Sequence, residues 1–130
     1  MFTLLGFNIY DIEENYNYDL EMEFNGQIIK IEVEAKQNKY FERIISNEYE
    51  MDVAYRKKKC NADYFIMWNH NFDTAILCRM RDITKEENKV WKYCRQNGQG
   101  KVKEPFFRLP RNHILSIYHL EGDTIKIIDV

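Results

Sequence analysis

Three observations predict an α/β or α+β fold, with a mixed central β-sheet flanked by helices. The stretch "QIIKIEVEAK" (27–36) alternates apolar and charged residues with the period of two that a strand requires. Residues 39–60 change to helical spacing, and two further apolar runs, 63–69 and 74–80, have the length and aromatic content of strands. At 130 residues the chain suits one compact domain, 1–130, able to bury roughly two-thirds of its unfolded surface.

Residues 2–10 fit either a short strand or a loosely formed first helix. Next, "YNYDLEMEF" (16–24) and "QIIKIEVEAK" flank Asn25-Gly26, a strong hairpin signal, because a type I′ turn needs positive φ at both central positions. Such a turn places Phe24 opposite Gln27, Glu21 opposite Lys30, Asp19 opposite Glu32 and Asn17 opposite Glu34. Asp19, Glu21, Glu23, Lys30, Glu32, Glu34 and Lys36 then share one face. Leu20, Met22, Phe24, Ile29, Ile31, Val33 and Ala35 share the other, which must pack on a core.

Phe41, Ile44 and Ile45, then Met51, Ala54 and Tyr55, predict two helical pieces broken near Ser46-Asn47, the second ending in the basic run 56–59. "DYFIMWN" and "TAILCRM" read as a hairpin of central strands across "HNFD". Thr84 and Glu87 stand at capping-box spacing before Val90, Trp91 and Cys94, which predicts a helix over 84–96, closed by "NGQG". The segments 105–110, 113–120 and 124–130 read as short strands.

The chain is 45% hydrophobic and 15% aromatic, which argues against disorder and for a filled core. No apolar stretch is long enough to span a bilayer, and the N-terminal residues lack the basic start and cleavage site of a secretory signal. A soluble, intracellular (cytoplasmic) protein with no membrane partner is expected. Cys60, Cys78 and Cys94 have no paired spacing, so reduced structural thiols are expected. The net charge of −2 provides no global basic field, so a nucleic-acid surface has to be local.

The hairpin register brings Asp19, Glu34 and Lys36 to one face within about two rungs, each roughly 4.5–5.5 Å across. Mg²⁺ takes one or two carboxylates, a carbonyl and waters, and a lysine beside it can orient a water or steady charge developing on phosphorus. Asp19 followed by a hairpin and "VEAK" resembles the signature of the PD-(D/E)xK nuclease superfamily, with Glu34 and Lys36 as the acid and the lysine, and with Gln37 following. The similarity covers roughly residues 10–80. It departs at Tyr18, where the signature has proline, and at Glu32, an extra acid that competes with Glu34 for the ligand role.

That resemblance implies a restriction-endonuclease-like core, also described as Holliday-junction-resolvase-like, and a Mg²⁺-dependent endodeoxyribonuclease in which Mn²⁺ can substitute. The implied metal ligands are Asp19, Glu34 and the Ala35 carbonyl. Lys36 would be the catalytic lysine and Gln37 would assist by positioning substrate or water. DNA is the implied partner, and a homodimer suits a duplex cut. The competing reading is an inactive relative that binds nucleic acid, or an interaction or inhibitor module using the charged face.

Arg56, Lys57, Lys58 and Lys59, and a second strip of Lys101, Lys103, Arg108 and Arg111, are candidate phosphate contacts, although basic runs also complement helix ends. The glycines of "RQNGQGKVK" (95–103) permit close approach of backbone to phosphate. Glu13 or Glu14 could add a carboxylate, but a polar loop is the simpler reading. Tyr16, Tyr18, Tyr40, Tyr49 and Tyr55 could stack on bases or rim the core. His70, His113 and His119 lack ligand spacing.

Overall fold

The computed structural model describes the backbone of residues 2–4, 7–10, 20–96, 100–122 and 124–128, and side chains at 20, 21, 23, 25–94, 102–122 and 124–128. The elements in order are β1 (Phe2–Leu4), β2 (Phe7–Tyr10), β3 (Leu20–Phe24), β4 (Gln27–Lys36), α1 (Asn38–Ile45), β5 (Met51–Ala54), β6 (Tyr64–Asn69) and β7 (Thr74–Arg79). They continue with α2 (Met80–Ile83), β8 (Lys89–Gln96), β9 (Gly100–Leu109), β10 (Ile114–Glu121) and β11 (Thr124–Ile128). Eight strands form one sheet in the order β1-β2-β3-β4-β6-β7-β10-β11, and β5-β9-β8 form a second. The fold is mixed α+β, mostly sheet.

The turn between β3 and β4 forms as its residues require: Asn25 and Gly26 have φ of 51° and 79°. Its register pairs Phe24 with Gln27 and Glu21 with Lys30, as expected, and the last described rung is Leu20 with Ile31. On its other side β4 runs parallel to β6, with Glu32 beside Phe65, Glu34 beside Met67 and Lys36 beside Asn69. Parallel pairing requires a crossover, and residues 37–63, including α1 and β5, supply it.

This register decides which face of β4 is inside. Partners across a ladder share a face, so the charged residues of β4 lie on the same side as Phe65 and Met67, both 0% exposed. That side carries the larger core, in which Phe65, Met67, Ile76, Cys78 and Ile117 of the large sheet meet Val53, Phe107 and Leu109 of the small one, with Phe41 and Ile44 from α1 and Met80 and Ile83 from α2. The apolar side of β4 builds a smaller cluster of Ile31, Ile66 and Ala75, bordered by Leu20, Ile29, Val33, Tyr64, Trp68 and Leu77.

Two helical expectations give way to strands. Met51, Ala54 and Tyr55 fit a helical period, but Met51–Ala54 is β5, paired with β9, and Tyr55–Lys59 is a 3₁₀ turn. Val90, Trp91 and Cys94 likewise fit a helix, whereas 89–96 is β8, with Lys92 opposite Glu104 and Tyr93 opposite Lys103. Thr84 does not start a helix. It follows α2, and its hydroxyl donates back to the Met80 carbonyl at 3.1 Å. Valine and aromatic residues favour a pleated surface, and β9 supplies the partner that local spacing cannot show. A sheet, not a pair of helices, therefore covers much of the core face. Residues 2–4 and 7–10 are strands.

Candidate active site on the buried charged face

Because β4 directs its charges toward the main core, each needs a partner. Glu32 is 5% exposed. Its Oε2 accepts hydrogen bonds from Lys57 Nζ at 2.7 Å and from Cys60 Sγ at 3.0 Å. Burial pulls the Lys57 pKa down, and the hydrogen bond and charge of Glu32 outweigh that, so Lys57 titrates above its ordinary value. The 3₁₀ turn Tyr55–Lys59 thus delivers a cation to the face that the crossover covers.

Glu34, one step along the same face, is half-buried, and its Oε2 is buried with no hydrogen-bond partner among the described residues. A shielded carboxylate oxygen without a donor loses its hydration uncompensated unless a proton or a cation meets it. Lys36 follows at the end of β4, half-buried, where a cleft of about 480 Å³ opens. Tyr40, Tyr49, Asp52, Lys92 and Arg108 also line the cleft. Tyr40 and Tyr49 stack with centroids 6.3 Å apart and planes 25° apart, and both rings are exposed.

The floor of the cleft holds a second ion cluster. Asp52 of β5 accepts a two-pronged contact from Arg108 of β9, Nε to Oδ1 at 3.0 Å and an NH2 to Oδ2 at 3.1 Å, and Lys92 Nζ of β8 lies 2.6 Å from Oδ2. Burial pushes the Asp52 carboxyl up, but the hydrogen bonds from Arg108 and Lys92 and their charge outweigh it, so it titrates below the ordinary carboxylate value.

The remaining predicted residues divide by what already holds them. Ala35 is exposed on the opposite face, and Gln37 is exposed at the start of α1, its carbonyl accepting from the Tyr40 and Phe41 amides. Lys57 faces Glu32, Lys58 pairs with Glu86, Arg108 is bound to Asp52, and Arg111 donates to the Ile44 and Ile45 carbonyls at 2.6 and 2.7 Å, closing the C-terminal end of α1. Among the described residues Arg56, Lys59 and Lys103 are exposed and make no salt bridge. Asp19, Glu13, Glu14, Tyr16 and Tyr18, and the side chain of Lys101, lie outside the described residues. Of the loop read at 95–103, residues 95, 96 and 100–103 belong to the β8–β9 hairpin, and 97–99 lie outside the described residues.

Among the described residues no three His, Cys, Asp or Glu side chains converge as metal ligands. Sequence reasoning missed Lys57 and Cys60 as partners of Glu32, and missed Asp52. A buried glutamate implies a nearby donor, but nothing local in the sequence marks Glu32 as buried. Comparison with known protein families, with curated proteins and with solved structures finds no match.

Proposed function

We propose that this protein is a Mg²⁺-dependent endodeoxyribonuclease of the PD-(D/E)xK type, with a restriction-endonuclease-like core. The observation that carries the reading is the buried Oε2 of Glu34, without a hydrogen-bond partner among the described residues and two residues before a lysine that lines an open cleft. Glu32 is already engaged by Lys57 and Cys60, which favours Glu34 over Glu32 as the ligand. The mixed pairing of β4, antiparallel to β3 and parallel to β6, is compatible with the proposed core.

In this reading Glu34, Asp19 and the Ala35 carbonyl hold Mg²⁺, or Mn²⁺ in its place, which when bound polarises the phosphate and acidifies a water. The fit is that of one orphaned carboxylate oxygen on the described side. Lys36 orients the attacking water or steadies charge developing on phosphorus, and Gln37 positions substrate from the exposed start of α1. Of the predicted phosphate contacts among the described residues, Arg56, Lys59 and Lys103 are exposed and outside salt bridges and would meet phosphates, and a homodimer would supply the two sites that a duplex cut needs.

One observation favours a second reading, an inactive relative that binds nucleic acid or a protein: the Lys57 ammonium already neutralises the carboxylate beside Glu34. The two separate by experiment. Isothermal titration with Mn²⁺ and Mg²⁺, and cleavage of plasmid, single-stranded and branched DNA, are measured for the wild type, Glu34→Ala and Lys36→Ala. The nuclease reading expects metal-dependent cleavage reduced by about 10²-fold or more in each variant, and metal binding lost only in Glu34→Ala. Cleavage that survives in both variants removes the site assignment. A wild type that neither binds metal nor cuts leaves the second reading.

A further inference from the structure

The strand assignment of 89–96 creates a surface that a helix would not have. Along β8, Lys89, Trp91 and Tyr93 fall on one face, and across the ladder Phe107, Pro105 and Lys103 of β9 face them in turn. Phe107 closes the core at one end of this row. Beyond it, Trp91 is 54% exposed and Tyr93 71% exposed, and Lys103 is exposed opposite Tyr93. The Lys89 ammonium sits 5.2 Å from the Trp91 ring centroid and 4.5 Å from that of Tyr55. Neither Lys89 nor Lys103 makes a salt bridge among the described residues. The next backbone pair outward is Arg95 with Lys101. Along β8 and β9 from Lys89 outward, this face has basic, aromatic and proline positions and no acidic one, and Glu86, beside its inner end, accepts from the Tyr55 hydroxyl and pairs with Lys58.

We infer that this face of the β8–β9 hairpin is a stacking platform for single-stranded DNA. Flat exposed rings accept the face of any base, and lysines beside them meet the phosphates that link successive bases. Spacing selects a single strand. Same-face neighbours on a strand stand roughly 7 Å apart, about twice the roughly 3.4 Å rise per base in a duplex strand, so consecutive bases reach both rings only when unstacked from each other. A duplex hides those base faces in its own stack. The charge of the platform opposes a basic protein partner and matches a polyanion. The inference takes DNA as the nucleic acid from the nuclease reading and deepens it by naming an unpaired segment as what is held, while the binding itself requires no metal.

The test is binding in EDTA, where no metal-dependent cleavage occurs. Fluorescence anisotropy with labelled dT20, its 20-bp duplex and rU20 compares the wild type with Trp91→Ala, Tyr93→Ala, Trp91→Phe and Lys103→Ala, each checked for an unchanged thermal midpoint. Expected are dT20 binding weakened roughly five- to a hundredfold by either alanine, near-wild-type binding for Trp91→Phe, and a salt slope smaller by about 0.7 for Lys103→Ala. Wild-type affinity in both alanine variants, or duplex bound as tightly as dT20, overturns the inference. So does rU20 binding tenfold more tightly than dT20, or self-association abolished by Trp91→Ala in a protein that ignores dT20. A protein that binds dT20 by this pattern yet never cuts loses the nuclease reading and keeps the platform.

Discussion

At the scale of single residues, the decisive interaction is the one between Glu32 and Lys57. Glu32, 5% exposed beside Phe65, is desolvated, and removing its cation breaks a buried ion pair, a change that costs about 3–5 kcal/mol where it has been studied. Lys57→Met is therefore expected to destabilise the fold by about that much, while Glu32→Gln with Lys57→Met recovers most of it, as read by urea unfolding in a double-mutant cycle. Strictly additive single effects would show that the two side chains are not coupled. The pH dependence has a definite sign. The folded pKa of Lys57 lies above its ordinary 10.5, so its contribution is complete below about pH 10.5 and fades only as pH rises through the higher folded value. Neutral buffers leave the pair intact. The alternation of "KIEVEAKQ" made the shared face of these charges legible, but not its direction. What buries Glu32 is the parallel neighbour β6 and the turn at 55–59, which are remote in sequence.

At the scale of elements, Asp52 ties the small sheet together. It lies on β5 opposite Arg108 of β9 in the ladder, and it also holds Lys92 of β8, so one buried carboxylate meets a cation from each of the other two strands. Asp52→Asn is expected to cost about 1–3 kcal/mol at pH 7, below the full buried-pair penalty because Arg108 and Lys92 keep about 39% of their side-chain surface in water. Since the Asp52 pKa is lowered in the fold, its contribution is present above about pH 3.8 and lost as pH falls through the depressed value. Urea midpoints of wild type and variant should converge as pH falls below about 3.8 and through the depressed value, and a difference that never narrows on acidification would refute the assignment. The same elements mark the limit of what local pattern can decide. Val90, Trp91 and Cys94 satisfy a helical stripe, yet Lys92 and Tyr93 between them fit a strand equally well, and only the pairing with Glu104 and Lys103 settles it. The described rungs of the Asn25-Gly26 hairpin, from Phe24 with Gln27 to Leu20 with Ile31, were legible because both strands and their turn are contiguous, while the expected rungs at Asp19 and Asn17 lie outside the described residues.

At the scale of the whole molecule, two sheets share one core and leave a cleft at its margin, and the charged face of β4 reaches that cleft at Lys36. Phe107 shows the dependence. It is 0% exposed, belongs to the small sheet, stacks on Tyr55 at 4.8 Å and joins the cluster that contains Phe65, Ile76 and Ile117 of the large sheet. Truncating such a ring leaves a cavity that the two sheets close only in part, so Phe107→Ala is expected to lower stability by about 3–5 kcal/mol. If the sheets form one cooperative unit, amide exchange must accelerate together in β6 and β7 of the large sheet and in β5 and β9 of the small one, by the same free energy. A variant in which β6 and β7 keep wild-type protection while β5 and β9 exchange freely would show that the small sheet opens alone. In that case Lys57, carried on the turn that follows β5, would leave Glu32 whenever the small sheet opened, and the electrostatics beside Glu34 would be a property of a fluctuating lid and not of a fixed site.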